Sequence, residues 1–240
     1  MSFKKVMPFA VASVLTLGAS ASFAEISGNI ALTSDYKFRG ISQSDESIAV
    51  QGGFDYEHES GFYLGTWGSS VDFDVNDADG GLDGSLELDV YAGFAGSFGD
   101  SGFGYDIAAL YYAYPGDDGL EGDYYEVAAG LSWNDLSLSF AYSPDYYAET
   151  GKFYYVAGGY ELGFAEIWTL SLHAGYNSFD EEGFLSDGAD SYWDYSVGVG
   201  VSVMGVDLSL AAVGTDLDED EVFGTSWGDA QAVFTISKSM

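Results

Sequence analysis

The sequence of 240 residues contains no cysteine and few basic residues, with six lysines and arginines against 39 aspartates and glutamates. Without cysteine the chain cannot form a disulfide framework, and at this length a single domain needs no such staple. The formal net charge of −33 at pH 7 excludes a nucleic-acid-binding surface, because such surfaces need clustered lysines and arginines. We therefore expect no nucleic-acid partner.

Long apolar runs are also absent beyond the N-terminus. Two lysines precede an apolar run over residues 6–18, and Ser22-Phe23-Ala24 follows as a cleavage site. This pattern predicts a secretory signal peptide over residues 1–24 and a mature domain over residues 25–240. The alternative is a retained anchor, although the run is short for a membrane helix. Any membrane insertion of the mature domain must then use strands.

The charge balance becomes more extreme after processing. Only Lys37, Arg39, Lys152 and Lys238 remain in the mature domain against 39 acidic residues. An acid excess of this size is typical of disordered or highly soluble chains. Aromatic residues nevertheless make up 17% of the sequence, which argues for packed structure. A barrel with acids in its loops and lumen is consistent with both observations.

Apolar residues recur at every second position through most of the mature domain. Between residues 85 and 98, one parity carries Leu86, Leu88, Val90, Ala92, Phe94 and Phe98, and the other carries Ser85, Glu87, Asp89, Tyr91 and Ser97. A period of two is typical of strands with one apolar face. In a soluble sandwich or lipocalin-like barrel that face points into a core, whereas in a membrane barrel it points to lipid.

Twelve segments of this kind follow one another. They span residues 29–39, 47–57, 62–75, 85–98, 103–114, 124–133, 136–143, 153–162, 167–177, 192–203, 206–214 and 230–240. An even number of strands is what single-chain outer-membrane barrels require.

The connections between these segments alternate in length. Five are tight, at residues 58–61, 99–102, 134–135, 162–165 and 204–205, and six are longer and acidic, at residues 40–46, 76–84, 115–123, 144–152, 178–191 and 215–229. The alternation predicts an all-β fold, a single transmembrane antiparallel barrel of about twelve strands with short periplasmic turns and longer extracellular loops. Aromatic residues near the strand ends suit interfacial girdles, namely Trp133, Trp168, Tyr176 and Trp193.

Several stretches resemble a known family. They are residues 31–43, 51–56, 61–73, 87–93, 213–216 and 233–240, the first reading ALTSDYKFRGISQ. Together they resemble the TorF-type porins of Gram-negative bacteria over essentially the whole mature domain. One departure is Met240, because outer-membrane barrels commonly end in an aromatic residue. The resemblance implies a location in the cell outer membrane, contact with its lipid and lipopolysaccharide, and assembly by the barrel-assembly machinery.

Charged residues on the polar parity are the candidate pore lining. They are Asp35, Lys37, Arg39, Asp55, Glu57, Asp72, Asp74, Glu87, Asp89, Asp106, Glu126, His173, Asp194 and Asp207. Twelve strands spaced ~4.8 Å and tilted ~40° give a backbone diameter of roughly 24 Å, enough for a narrow pore. We therefore predict a passive channel for small cationic or neutral solutes. The alternative is a plugged, non-conducting structural or adhesive barrel.

Enzymatic chemistry has little support in the sequence. His58 falls in a tight turn, and His173 lies ~7 Å along the strand from Ser171, too far for a nucleophile–base hydrogen bond. A barrel hydrolase is therefore the least favoured hypothesis, and we expect no enzyme and no cofactor. The acidic loops near Asp77 and Asp220 offer oxygen ligands for calcium, but neither has the spacing of a helix-loop-helix site, so we predict no specific metal site.

Overall fold

The computed structural model describes residues 25–73, 85–99, 101–116, 122–180 and 184–240. Twelve strands form a closed antiparallel barrel, and two further strands form a small hairpin inside it. The barrel strands are β1 (Glu25–Thr33), β4 (Ala49–Glu57), β5 (Phe62–Ser70), β6 (Leu86–Ser97), β7 (Phe103–Ala113), β8 (Tyr124–Trp133), β9 (Leu136–Ser143), β10 (Phe153–Phe164), β11 (Trp168–Phe179), β12 (Ser191–Val203), β13 (Val206–Thr215) and β14 (Gln231–Ser239). The hairpin consists of β2 (Lys37–Phe38) and β3 (Ile41–Ser42), and short 3-10 turns occupy Tyr147–Glu149 and Glu219–Glu221.

Each barrel strand pairs with its sequence neighbours, and β1 closes the barrel against β14. The closing pairs run from Asn29 opposite Ser239 to Thr33 opposite Thr235. Because the sheet has no free edge, its backbone donors and acceptors are satisfied within the wall. The expectation of an all-β antiparallel barrel of twelve strands is confirmed. No helix within the described ranges is long and apolar enough to cross a membrane.

The tight connections lie at the barrel end that holds Glu25 and Met240, the first and last described residues. Met204 and Gly205 have φ values of 56° and 77° and form a two-residue turn with both central residues left-handed. Such turns match the twist of paired strands, so β12 and β13 continue their pairing up to Val203 opposite Val206. This end is called the short-turn end below, and the opposite one the long-loop end.

The outer surface of the barrel is apolar. Val90, Val127 and Val197 are each about half exposed, at 57%, 47% and 55%. The predicted girdle residues also point outward: Trp133 stacks on Phe103 near the short-turn end, and Trp193 packs against Tyr176 near the long-loop end. An apolar band between two aromatic girdles is the surface that a bilayer requires.

The first and third segments end earlier than the sequence pattern predicts. Strand β1 stops at Thr33, and the chain then turns into the barrel, so Tyr36 and Phe38 are buried although their parity predicted an outward position. Strand β5 stops at Ser70, and its Tyr63 is buried inside although it too was predicted to face outward. In both segments, aromatic side chains that the pattern assigns to the outer surface fill the lumen instead.

The inner hairpin turns at Arg39 and Gly40. Their φ values are 48° and 84°, so both adopt the left-handed conformation of a two-residue hairpin turn. A Cβ on Gly40 would lie 2.6 Å from Cγ2 of Thr215 and 2.8 Å from the carbonyl oxygen of Gly214. The tip is therefore wedged against the barrel wall at a position that only glycine fits.

Aromatic rings fill the lumen at the long-loop end. Tyr124 stacks on Tyr112 at 4.5 Å and contacts Tyr146 at 4.6 Å, and Tyr146 stacks on Phe153 at 4.3 Å. We call this group the aromatic layer; its members are Phe38, Tyr112, Tyr124, Tyr146, Phe153 and Phe179, all buried. The layer joins the hairpin to β7, β8, β10 and β11 and to the connection between β9 and β10.

The outward-facing band predicts how the barrel responds to charge. Replacing Val127 by Arg should lower the free energy of unfolding from lipid vesicles by about 2–4 kcal/mol, because a guanidinium near the middle of the band must be buried in hydrocarbon. Urea titration followed by tryptophan fluorescence measures this change, with Val127→Leu as the matched control. Equal stability of the two variants would contradict a lipid-facing band.

Candidate functional site: the barrel lumen

A cavity of about 950 Å³ occupies the lumen below the aromatic layer. Its wall extends to turn residues Glu166 and Met204, so it opens at the short-turn end. Polar and aromatic side chains line it together: Arg39, Gln51, Asp55, Tyr63, Trp67, Asp89, Tyr91, Tyr112, Glu126 and Tyr155 are among the lining residues. The cavity is therefore a vestibule with acids and aromatic rings on its walls.

Arg39 is held at the top of this cavity by Glu126 on β8. Its two terminal nitrogens lie 2.7 and 2.8 Å from the two carboxylate oxygens, and both side chains are buried. Phe38, Phe153 and Tyr155 surround the guanidinium with ring centroids 4.5–4.7 Å away. Planar bidentate pairing and ring stacking are both suited to arginine, so lysine would not replace it here.

Lys37 is also bonded to other groups of the protein. Its ammonium donates to the carbonyl oxygen of Trp227 at 2.8 Å and of Asp229 at 3.3 Å, and lies 3.6 Å from Oδ2 of Asp35. The other Asp35 oxygen accepts a hydrogen bond from Ser42 at 2.6 Å. These contacts fix the inner hairpin to the long connection that follows β13.

Tyrosine hydroxyls satisfy two of the lumen acids. Tyr63 donates to both oxygens of Asp106, at 3.0 and 2.9 Å, and Tyr91 donates to Asp55. The ring of Tyr91 lies flat over Gly65, where a Cβ would come within 2.5 Å of it. The glycine thus makes room for the ring that reaches across β5 to Asp55.

His173 lies inside the barrel, as its parity predicts. Its Nε2 is 2.8 Å from Oδ1 of Asp194 and 3.0 Å from the hydroxyl of Tyr155. Asn177 donates to the other oxygen of Asp194 at 2.8 Å. No serine hydroxyl in the described part of the chain hydrogen-bonds to His173, so the acid and base of a hydrolytic triad are present without its nucleophile.

Glu87 and Asp89 differ from the other lumen acids. Glu87 is 1% exposed and accepts one hydrogen bond, from the Tyr36 hydroxyl at 3.2 Å, which leaves its Oε2 without a partner. Asp89 is 8% exposed, and no described residue donates a hydrogen bond to its buried Oδ1 or forms an ion pair with it. Two neighbouring carboxylates are thus buried on one strand without a counter-charge.

The structure describes three of the four remaining predicted pore-lining residues. Glu57 and Asp207 lie half-buried on the lumen side, and Asp207 lines the cavity near the short-turn end. Asp72 is exposed, because Val71 and Phe73 on either side of it face inward, so its predicted lumen position is wrong. Asp74 lies outside the described residues.

Sequence reasoning missed the aromatic lining. Tyr63 and Trp67 were counted with the apolar parity of their strand, yet both face the cavity, whereas Leu64 and Thr66 face outward. The available signal was the small residues on the same parity, Gly65 and Ser69, since wide aromatic rings need small neighbours in a narrow lumen.

The acidic connections offer oxygen ligands for calcium. The loop near Asp77 lies outside the described residues. In the loop near Asp220, Asp218 and Glu221 cap each other's backbone amides around the 3-10 turn. No cluster of three or more acidic or histidine residues suited to a metal ion occurs in the described ranges. On the exposed surface, Lys152 donates a hydrogen bond to Asp180 at 2.9 Å, which raises the pKa of Lys152.

Comparison with sequence families gives a match over most of the chain. The family model Gcw_chp, described as a bacterial protein of unknown function, matches residues 18–240. The chain belongs to this family. None of the curated proteins matches the sequence. The Gcw_chp family is bacterial, as expected, whereas the more specific likeness to TorF-type porins stays a prediction.

Solved structures share the fold. The KdgM porin is 11% identical with a TM-score of 0.54, covering 89% of this chain and 97% of its own. The NanC porin is 10% identical with a TM-score of 0.56, covering 89% and 98%. A second KdgM structure, in complex with disordered oligogalacturonate, has a TM-score of 0.53 at 10% identity, covering 90% and 97%. At these identities the likeness concerns the barrel fold alone.

The Arg39–Glu126 pair predicts a specific stability pattern. Replacing Arg39 by Ala should lower the free energy of unfolding by about 3–5 kcal/mol, because it leaves the Glu126 carboxylate buried and uncompensated. The double variant Arg39→Ala/Glu126→Gln should recover part of this loss. Denaturant titration measures both variants.

The matched control is Lys152→Ala, which breaks the exposed pair with Asp180 and should leave the unfolding midpoint unchanged. If Arg39→Ala behaved like Lys152→Ala, the hairpin would be held by other contacts.

Proposed function

We propose that this protein is an outer-membrane porin-like channel that passes small, preferentially cationic or neutral solutes. The observation that carries the proposal is the acid-lined cavity inside a closed barrel whose outer surface is apolar. Fixed negative charge in a narrow passage raises the local cation concentration and excludes anions. The porin fold of KdgM and NanC supports the same class of protein.

The lumen charges support the cation preference. Among the described residues, Arg39 and Lys37 are the lysine and arginine buried inside the barrel, and both are engaged by protein groups, whereas Lys238 lies exposed at the short-turn end of the cavity. Asp55 and Asp89 line the cavity, and neither forms a salt bridge within the described residues. A permeating cation would meet these carboxylates without competition from a lysine or arginine.

A non-conducting structural or adhesive barrel is the second candidate. The aromatic layer favours it, because stacked rings and the wedged hairpin occupy the lumen at the long-loop end. In that case the acidic loops would carry the function and contact lipopolysaccharide through divalent ions. For both candidates we propose a location in the outer membrane, assembly by the barrel-assembly machinery and a likeness to TorF-type porins.

Ion selectivity tests the channel. In a planar bilayer under a KCl gradient, the reversal potential should show preference for K⁺, and the preference should fade near 1 M salt as the Debye length falls to about 3 Å. The variant Asp55→Asn/Asp89→Asn should reduce the preference, whereas Asp220→Asn on the exposed loop should not. Folded protein that carries no current would support the non-conducting barrel instead.

Surface labelling tests the orientation. An epitope inserted at Glu219 should bind antibody on intact cells, because the longer loops are expected to face outward. The same epitope at Ser60, in a tight turn, should bind only after the outer membrane is permeabilised. The site near Asp118 would be equivalent by sequence but lies outside the described residues. Labelling at Ser60 on intact cells would invert the assignment.

A further inference from the structure

We propose that Asp89 is the centre of a binding site for an organic ammonium ion in the lumen. The proposal rests on the proposed function only in that the bound ion would belong to the class of solute that the channel passes. The binding itself requires only the cavity, which opens at the short-turn end.

Aromatic residues flank Asp89 on both neighbouring strands. In the register of the wall, Trp67 on β5 lies directly opposite Asp89, and Tyr112 on β7 lies opposite it on the other side. All three residues line the cavity. Paired strands are ~4.8 Å apart, so a carboxylate sits between two ring systems within the reach of one small ligand.

The ring of Tyr36 extends this wall. It packs edge-on against Trp67 with centroids 5.5 Å apart, and its hydroxyl binds Glu87. Aromatic faces attract ammonium groups, and a desolvated carboxylate supplies the opposite charge. A neutral solute would leave the carboxylate unpaired, and an anion would be repelled.

The chain itself has no basic side chain left to pair with Asp89. Beyond the signal peptide its basic residues are Lys37, Arg39, Lys152 and Lys238. The first two are bonded to other groups, and Lys152 pairs with Asp180 on the surface. Lys238 is exposed at the short-turn end of the cavity and forms no salt bridge with Asp89. The undescribed segments beyond the signal peptide contain no lysine or arginine.

A metal ion fits this place less well than an organic cation. Acidic clusters with three or more ligands are absent among the described residues. In the register of the wall, Asp89 lies between Trp67 and Tyr112 rather than between further carboxylates. Ring faces with one or two carboxylates are the chemistry of ammonium recognition.

Choline and its uncharged carbon isostere, dimethylbutanol, test the site. Isothermal titration of the folded, detergent-solubilised protein should give saturable binding of choline and none of the isostere. Asp89→Asn should weaken choline binding about tenfold or more, because the Coulombic attraction between the carboxylate and the quaternary ammonium is lost. Trp67→Leu should weaken it several-fold through loss of the ring face. Asp220→Asn, the same change on an exposed loop, should bind as the wild type does.

The outcomes separate this site from the channel. Choline binding without bilayer current would leave the site standing and remove the channel. A K⁺-selective current without choline binding would overturn the site. Equal binding by wild type and Asp89→Asn would also overturn it.

Discussion

The ion pair between Arg39 and Glu126 joins the inner hairpin to the barrel wall, and the arrangement of the lumen depends on it. Arg39 has a φ of 48°, a left-handed conformation that costs a residue other than glycine about 1 kcal/mol. Two charge-assisted hydrogen bonds and three surrounding rings offset that strain. Because the hairpin stays at the long-loop end, the rest of the lumen remains open as a cavity.

The barrel wall could be predicted from the sequence because its determinants are local. Strand pairing involves only sequence neighbours and the one closing pair, so period-two patterning and turn length are enough to place the strands. Strand β6 illustrates this, since Leu88 and Val90 face outward and Glu87 and Asp89 face inward as the pattern indicates. Most strand bounds differ from the pattern by a few residues, which leaves the inward and outward faces as predicted except on β5, where they are reversed.

The interior could not be predicted in the same way, because tyrosine and tryptophan suit both lipid and lumen. Tyr36 and Phe38 continue the apolar parity of β1, and only contacts with Glu87, Tyr112 and the far wall decide that they fold inward. Asp72 was misplaced for the related reason that the aromatic residues of its segment, Tyr63 and Trp67, face the lumen, so the alternate positions that include Asp72 face outward. Pairings such as Arg39 with Glu126, 87 residues apart in the chain, leave no trace in a single sequence.

The way in which the lumen acids are satisfied decides the field inside the barrel. Asp55 and Asp106 accept hydrogen bonds from tyrosine hydroxyls, which meet the bonding needs of a carboxylate without cancelling its charge. Among the described lumen acids, Glu126 is paired with Arg39, and Asp35 lies 3.6 Å from the Lys37 ammonium. With 19 tyrosines in the chain and four lysines and arginines beyond residue 24, this solution keeps the interior ordered and negative together. A lumen neutralised by arginine could be equally well packed but would not have a negative electrostatic potential.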